Sequence, residues 1–356
     1  MTSRRQISRR ALLTGAAGAG VAGALLASPP VLSTARAEGI EQRAVEIAAV
    51  RDPQLGAQVA IASEFELFQQ EGLEPAVHWN QSGADVITVM AGGSQYLGTG
   101  GVFAEVVFGG QDLPIKIVAA LADIAATQGF ALSPGVKLAH PRELEGKRLA
   151  FTQGNSQVLI LAKMAKMFGF DAGKVTLVNM NPSEGVVAAS KGDVHGLLGW
   201  QPNLYRLVTM GGTMYATGTT LYVTDKPESL PLADRLQYNH SVLLASQGWI
   251  DNKPNTVKAV LRALRKATDI LTQDRPKALD ALQKQLRIDA DALKVMAEAN
   301  QYGLGISDAV AASLDFQSQW ALEIKRIAKP VTPEQGFAPQ LLQSLDPGLV
   351  TWKARA

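Results

Sequence analysis

A turn between a predicted strand and a predicted helix carries the residue types best suited to hold a ligand. The strand covers Arg148–Thr152, the turn contains Gln153 and Gly154, and the helix is predicted to open at Asn155 or Ser156. Asn and Ser are favoured helix caps, and the unpaired N–H groups and the dipole at a helix N-terminus attract an anion. The segment is therefore either an anion site or an ordinary structural turn.

Similar turn residues follow other predicted strands in both halves of the chain. In a parallel α/β sheet, ligands lie beyond the carboxyl ends of the strands, and in a molecule with two lobes those ends can face one cleft. Each turn by itself is also explained as a structural connection. The turns that this pattern selects are Arg51–Gln54, Gln81–Gly83, Gly100-Gly101, Gly154–Ser156 and Trp200–Pro202.

Motifs for catalysis and for metal binding are missing from the sequence. The chain has no cysteine, which excludes disulfides, thiolate metal sites and cysteine nucleophiles. No G-x-S-x-G elbow, phosphate loop or dinucleotide fingerprint occurs. The four histidines have no metal-ligand spacing; they are His78, His140, His195 and His240. We therefore predict neither an enzyme, nor a cofactor, nor a metal.

The first 37 residues resemble an export signal. Ser8-Arg9-Arg10-Ala11-Leu12-Leu13 precedes a Gly/Ala-rich apolar run, and Ala35-Arg36-Ala37 is typical of a signal-peptidase site. The paired arginines resemble the twin-arginine signal. Without this segment the formal charge is −3, because it removes five arginines and no acid, and no nucleic-acid partner is expected. Since no cysteine can carry a lipid anchor, we predict a free periplasmic protein of a Gram-negative cell.

Alternating predicted strands and helices indicate an α/β fold with two related lobes. A strand-helix-strand-helix-strand series runs from Val45 to Thr99 and a second series runs from Arg148 to Gly199. We expect each lobe to contain a mainly parallel sheet flanked by helices, followed by a helical segment from Trp249 onward that includes Asp289–Tyr302. The predicted bounds are 1–37 for the signal peptide, 38–135 and 240–330 for lobe 1, 136–239 for lobe 2 and 331–356 for an irregular C-terminal tail.

Four segments of the sequence carry a resemblance to a known family: Phe68–Leu73, Leu113–Ala120, Leu144–Ala150 and Lys191–Pro202. The last of them, K-G-D-V-H-G-L-L-G-W-Q-P, resembles the pattern Gly-Asp-(Val/Ile)-Asp-Ala…Trp-(Glu/Asp)-Pro. Over about residues 44–330 the sequence thus resembles the periplasmic substrate-binding proteins of ABC importers in the aliphatic sulfonate, nitrate and taurine group, which are related to the pyrimidine-precursor binders.

The resemblance implies a type II periplasmic binding protein, a monomer without enzymatic activity. It would close on a small ligand and dock on an ABC permease and its ATPase, with a hinge near Ser133–Pro141 and Tyr222–Ser241. The candidate ligand-binding residues, taken from the turns and the resemblance together, are Asp52, Gln54, Gly100, Gly101, Gln128, Gly154, Asn155, Ser156, Trp200 and Gln201.

Some residues depart from the family pattern and leave the identity of the ligand undecided. Gln201 replaces the acid of Trp-(Glu/Asp)-Pro, and His195 replaces an Asp. Asp52 favours an amino group and opposes a simple anion, which an aminosulfonate such as taurine reconciles; alternatively Asp52 pairs with Arg51 or caps the next helix. A carboxylate, nitrate or a pyrimidine remains possible as the ligand. A ligand sensor for a membrane receptor and an exported enzyme are the other classes of function.

Overall fold

In a computed structural model, which describes residues 39–224 and 226–354, the strands form two separate sheets. The predicted signal peptide, residues 1–37, lies outside the described residues. The described strands are β1 Ala44–Val50, β2 Glu74–Asn80, β3 Leu97–Gly101, β4 Ile115–Asp123, β5 Gln128–Leu132, β6 Arg148–Phe151, β7 Thr176–Asn179, β8 Gly196–Trp200, β9 Thr213–Thr217, β10 Thr220–Leu221, β11 Glu228–Ser229, β12 His240–Ser246 and β13 Gln301–Gly305.

Helices cover both sheets and form the greater part of the C-terminal region. The longest, α9, buries an apolar stripe that includes Val257, Leu264 and Leu271, and a proline occupies its first turn. None of the described helices is long and apolar enough to cross a membrane. The helices are α1 Ala57–Glu64, α2 Leu67–Gln70, α3 Gly83–Ala91, α4 Phe103–Gly110, α5 Val158–Phe168, α6 Pro182–Lys191, α7 Asn203–Thr209, α8 Gln247–Asn252, α9 Pro254–Gln273, α10 Arg275–Leu286, α11 Ala290–Ala299, α12 Asp308–Glu323, α13 Pro333–Gly336 and α14 Gln340–Leu345.

Both sheets are mixed, which corrects the prediction of mainly parallel sheets. The first has the order β13-β4-β12-β3-β1-β2, and only β1 with β2 and β1 with β3 are parallel pairs. The second has the order β11-β10-β9-β5-β8-β6-β7, and β6 is parallel to β7 and β8. The chain enters β5 and β12 after crossing from the other sheet, so both strands begin at the cleft. They therefore run antiparallel to the neighbouring strands, which end there. The two-lobed α/β class itself is confirmed.

The chain crosses between the sheets twice, and the two crossings lie side by side. The first runs from Ile124 through the 3-10 turn Ala125–Thr127 into β5, and the second connects β11 to β12. Ile124 N donates to Asn239 O at 3.0 Å, and Arg235 pairs with Asp123 at 3.1 Å. We infer that these paired segments form the hinge.

The predicted bounds of the first lobe need correction at this crossing. Because β5 pairs with β8 and β9 in the second sheet, the lobe boundary lies before Gln128 instead of at residue 135. The predicted first hinge segment, Ser133–Pro141, therefore lies inside the second lobe. The second predicted segment, Tyr222–Ser241, includes the observed second crossing.

The C-terminal region extends the core of the first sheet. Residues 301–305, of which the first two were predicted as the end of a helix, instead form the edge strand β13, in which Gly303 and Gly305 disfavour helix. The predicted irregular tail contains α13 and α14 and is fixed to the first sheet, since Ala338 N donates to Ile117 O at 2.9 Å and Thr351 N donates to Ile306 O at 2.9 Å. Apolar side chains from both α9 and α14 lie in the same core as β1 and β4.

Candidate ligand-binding site

A small cavity lies where the ends of strands from the two sheets meet. Its volume is about 40 Å³, and a single buried water needs roughly 10–15 Å³, so this conformation has room for a small molecule only. Most of the predicted ligand-binding residues line this one cavity: Asp52, Gln54, Gly101, Gln128, Gly154, Asn155, Ser156 and Trp200.

Two of the predicted contacts, Gly100 and Gln201, do not line the cavity. A Cβ atom at Gly100 would lie 3.3 Å from Leu244 Cδ1, because that face of β3 packs into the core. The side-chain Oε1 of Gln201 accepts a hydrogen bond from Tyr205 N at 2.9 Å, which directs the side chain onto α7. Gln201 still contributes through its backbone oxygen, as described below.

Several lining residues were not predicted. Phe103 and Ala104 lie two and three residues after Gly101, so the predicted Gly100-Gly101 turn came close to them without including them. Asn239 precedes β12, and a search for carboxyl ends of strands misses a strand that begins at the cleft. Gly83 ends the predicted turn Gln81–Gly83, although it was not among the named ligand contacts. The other lining residues beyond the prediction are Leu55, Ile87, Ile124 and Gln157.

The N-termini of two helices from opposite sheets open onto the cavity. Helix α4 begins at Phe103, and α5 begins at Val158, two residues later than the predicted Ser156. In the described structure neither helix has a side-chain cap, so the predicted capping by Asn155 or Ser156 is wrong. The first N–H groups of a helix have no intrahelical acceptor, and two such N-termini give the cavity a positive potential.

Ser156 joins the N-terminus of α5 to the second crossing segment. Its Oγ accepts a hydrogen bond from Gln237 Nε2 at 2.9 Å and a longer one from Asn239 Nδ2 at 3.5 Å. Gly154, two residues earlier, has a φ of 88°, which glycine adopts without strain. Through this turn the second lobe approaches the first, because a Cβ atom at Gly154 would lie 3.5 Å from Ala84 Cβ.

Asp52 brings a buried carboxyl group to the opposite wall. Its Oδ1 accepts hydrogen bonds from Gln54 N at 2.9 Å and Leu55 N at 2.8 Å. Burial raises the pKa of Asp52 to about 6, although the two backbone N–H groups and the side chain of Trp200 favour its ionised form. Among the described residues that line the cavity, Asp52 is the only one with an ionisable side chain.

The partners of the Asp52 carboxylate come from the turn before α1 and not from Arg51. The carboxylate accepts hydrogen bonds from the turn residues Gln54 and Leu55. In the described structure Gly56 is the N-cap of α1 and no side chain caps this helix. The two predicted alternatives for Asp52, pairing with Arg51 and capping of the next helix, are therefore both wrong. The Arg51 guanidinium instead lies 5.2 Å from the centre of a ring of Trp79 and donates to Gln285 O at 3.0 Å.

A chain of buried amide side chains connects the two lobes next to the cavity. Gln54, from the first lobe, donates through Nε2 to the backbone oxygen of Gln201 at 2.6 Å. Its Oε1 accepts from Gln128 Nε2 at 2.5 Å and from Thr127 Oγ1 at 2.7 Å. Gln128 Oε1 in turn accepts from Gln157 Nε2 beside the N-terminus of α5. The hydrogen-bonding groups of Gln54 are thus used between the lobes, in a closed arrangement.

Metal ligands are not gathered at this cavity. Within residues 39–224 and 226–354 no group of three or more His, Asp or Glu side chains could hold a metal ion.

Comparison with known sequences identifies relatives that are binding proteins. A family model described as NMT1/THI5 like matches residues 55–278. The taurine-binding periplasmic protein of Escherichia coli (strain K12) is 26% identical over 128 residues, which cover 35% of this chain and 39% of that protein. The matching region thus spans about two fifths of that relative's length.

Solved structures share the fold at low sequence identity. The alkanesulfonate-binding protein from Xanthomonas axonopodis pv. citri, solved with MOPS bound, has a TM-score of 0.71 at 17% identity over 85% of this chain and 100% of that chain. A desulfurization enzyme has a TM-score of 0.62 at 17% identity over 86% of this chain and 100% of that chain. The same fold therefore serves both binding proteins and an enzyme.

Proposed function

Because the chain belongs to the NMT1/THI5-like family, we propose that it is the solute-binding component of an ABC-type importer. It captures a small sulfonate-like molecule between its two lobes and delivers it to a membrane permease and the associated ATPase. The observation that carries the proposal is the closed cavity at which the uncapped N-termini of α4 and α5 meet from opposite lobes. The taurine-binding relative supports the same class of ligand.

The chemistry of the cavity favours a ligand with both an acidic and an amino group. The helix N-termini supply N–H donors for a sulfonate, while ionised Asp52 on the opposite wall attracts an ammonium group and repels a second anion. A short aminoalkylsulfonate such as taurine carries these two groups a few atoms apart. The small volume of the cavity selects against long or branched molecules.

Ligand binding and lobe closure are coupled in this scheme. The ligand contacts Gly101 and α4 in the first lobe and Gly154–Ser156 in the second, so it completes its hydrogen bonds only when the lobes are closed. A ligand shifts a conformational equilibrium by its differential affinity for the two states. The closed form then docks on the permease. We further propose that the protein is a periplasmic monomer, as its relatives' periplasmic location supports.

A thermal-stability screen tests the class of ligand. The compounds are taurine, ethanesulfonate, nitrate, bicarbonate, an aromatic acid and a pyrimidine precursor, each at millimolar concentration. A ligand of micromolar affinity adds about 4 kcal/mol to the unfolding free energy under these conditions, and we expect this for taurine. A shift of the melting temperature by compounds without a sulfonate group, and by neither taurine nor ethanesulfonate, would contradict the sulfonate proposal.

An enzyme is the second candidate, because the desulfurization enzyme shares the fold. The chain has no cysteine, so an enzyme of this fold would need another nucleophile. Incubation of the protein with the best ligand of the screen, followed by mass spectrometry, separates the two functions: recovery of the ligand intact supports a binding protein, and a stoichiometric excess of product over protein establishes catalysis. A sensor role is distinguished from an import role by testing whether the liganded protein stimulates the ATPase of the importer in proteoliposomes.

A further inference from the structure

A second pocket at one mouth of the cleft carries a concentration of positive charge that the cavity lacks. It has a volume of about 470 Å³ and receives three arginines from different elements: Arg51 after β1, Arg206 on α7 and Arg287 after α10. Arg51 and Arg287 belong to the first lobe and Arg206 to the second, so the pocket is completed only when the lobes face each other. We call it the arginine pocket.

The arginine pocket is short of negative charge. In the part of the chain that the structure describes, no ion pair or side-chain hydrogen bond satisfies the guanidinium groups of Arg206 and Arg287, and both residues are exposed. Asp52 is the one acid among its described lining residues, and its carboxylate already accepts hydrogen bonds from two N–H groups. The nearest acid of α6, Glu184, accepts from Asn181 N at 3.2 Å.

The position of Arg51 is fixed by contacts that leave its charge uncompensated. Its guanidinium lies over Trp79 and donates one N–H to the backbone oxygen of Gln285. Neither partner carries a negative charge. Like charges that approach each other across a closing cleft oppose closure, so the closed arrangement calls for an anion in this pocket.

The arginine pocket and the buried cavity share a wall. Asp52 and Trp200 line both. This pair separates the two spaces, so that an ion in the arginine pocket does not occupy the ligand position. An anion there contacts both lobes, and it therefore binds the closed form more tightly than the open form.

We propose that the arginine pocket is an accessory site for a tetrahedral oxyanion, such as inorganic phosphate or sulfate, and that occupation of the site promotes closure of the lobes. Guanidinium groups suit this class of anion because their N–H donors match the spacing of its oxygens. By reciprocity the ion then raises the affinity of the cavity for its own ligand.

The test is titration of the protein with inorganic phosphate at constant ionic strength, followed by calorimetry. The variants are Arg206→Gln and Arg287→Gly. Arg287 has a φ of 56°, a conformation that glycine adopts without strain, so its replacement is not expected to impair folding. We expect each variant to weaken phosphate binding about tenfold.

Lys137→Gln is the matched control, because it removes the same charge from the second lobe. Lys137 is exposed and follows Leu132, the end of β5 that lies away from the cleft. We expect phosphate affinity to be unchanged in this variant. Phosphate binding of wild-type strength in both arginine variants, or no phosphate binding by the wild type, would overturn the proposal.

Two further measurements test the coupling. Small-angle scattering should show that phosphate lowers the radius of gyration of the wild type and leaves that of Arg206→Gln unchanged; an unchanged wild type argues against coupled closure. Taurine should strengthen phosphate binding, and competition between them would place phosphate in the cavity and end the proposal. Since the arginine variants are tested with phosphate alone, their result stands whether or not taurine proves to be the ligand.

Discussion

The carboxyl group of Asp52 is buried in the wall of the cavity, and its protonation affects both stability and ligand choice. Its pKa rises from 3.8 to about 6 in the folded chain because burial penalises the charged form. Between these values the folded protein binds more protons than the unfolded chain. The unfolding free energy contributed by Asp52 is therefore fully present below pH 4 and is lost as the pH rises through 6.

We predict that Asp52→Asn removes this pH dependence. The unfolding free energy of the variant relative to the wild type should increase by about 2 kcal/mol between pH 4 and pH 7, since a shift of about two pKa units corresponds to about 3 kcal/mol and part of it is already lost at pH 4. Chemical denaturation of both proteins at each pH measures the difference. The same difference at both pH values would show that the carboxyl group is not perturbed by burial.

The choice between ligands should also depend on the protonation of the Asp52 carboxyl group. Because ionised Asp52 attracts an ammonium group, we predict that taurine affinity rises about tenfold from pH 5 to pH 7 in the wild type, as the carboxyl group loses its proton. The affinity for ethanesulfonate, which has no amino group, should instead fall as the pH rises over the same range. Calorimetric titration of both ligands measures this, and in Asp52→Asn neither ligand should show the trend. Parallel pH profiles for the two ligands would show that Asp52 does not determine the specificity for an amino group.

At the residue scale the sequence predicted most of the cavity but not the direction of each side chain. The strand-end turns located Asp52, Gln54 and Gly154 because the carboxyl ends of the strands do meet at the cleft. Gln201 follows Trp200 directly, and adjacent residues at a strand end point in different directions. Which of the two faces the ligand depends on tertiary packing, which a motif does not record.

At the scale of single elements, the turn from β6 to α5 is the part of the site most sensitive to backbone geometry. Gly154 has a left-handed φ of 88°, and the exposed turn glycine Gly93 has a φ of 72° with no atoms within 4 Å of its Cβ position. We predict that alanine at either position lowers the unfolding free energy by about 1–2 kcal/mol, because a Cβ atom is strained in this region. Only Gly154→Ala should also weaken ligand binding, since it displaces the α5 N-terminus.

Thermal unfolding together with ligand titration checks this pair of variants. Gly93→Ala serves as the control, because it adds the same backbone strain at a residue that does not line the cavity. Equal loss of affinity in both variants would mean that general destabilisation, and not the geometry of the turn, governs binding.

The elements that the sequence predicted wrongly share one cause, which is tertiary context. Helix α5 begins at Val158 and not at the good caps before it, because the Ser156 hydroxyl is engaged by Gln237 and Asn239. The first two residues of β13 were predicted as helix because residues 289–302 carry a helical pattern, whereas pairing with β4 decides their conformation. Long periodic helices such as α9 were predictable because their own apolar stripe defines them.

For the whole molecule, Gln54 is the residue whose hydrogen bonds to Gln128 and to the backbone oxygen of Gln201 join the two lobes. We predict that Gln54→Ala weakens ligand binding about tenfold or more, because the loss of these two bonds destabilises the closed form. Scattering should show a larger radius of gyration for the liganded variant than for the liganded wild type.

Gln58→Ala is the control for this prediction. Gln58 is equally buried, but its Nε2 donates to Leu121 O at 2.6 Å within the first lobe. This variant should lower the unfolding free energy by about 1–3 kcal/mol and leave the ligand-bound dimensions unchanged. Closure that is equally impaired in both variants would contradict a specific role for Gln54.

The arrangement of two lobes was predictable, whereas the crossings between them were not. The repeated strand-helix series indicated two sheets directly. Nothing in residues 124–127 separates a crossing from an ordinary loop, and the place where β5 pairs is decided by β8 and β9, which lie far along the chain. Non-local pairing of this kind leaves no periodic signal in the segment itself.

The order of strands in the first sheet has a consequence for synthesis of the protein. Strand β12 lies between β3 and β4, although it leaves the ribosome only after the whole second sheet, whose strands β5–β11 are contiguous in sequence. The second sheet can therefore fold as it emerges, while the edges of β3 and β4 stay unpaired until β12 has been synthesised. Unpaired strand edges can pair with other chains. We expect nascent chains that stop between β11 and β12 to be the most prone to aggregation and to depend most on chaperones.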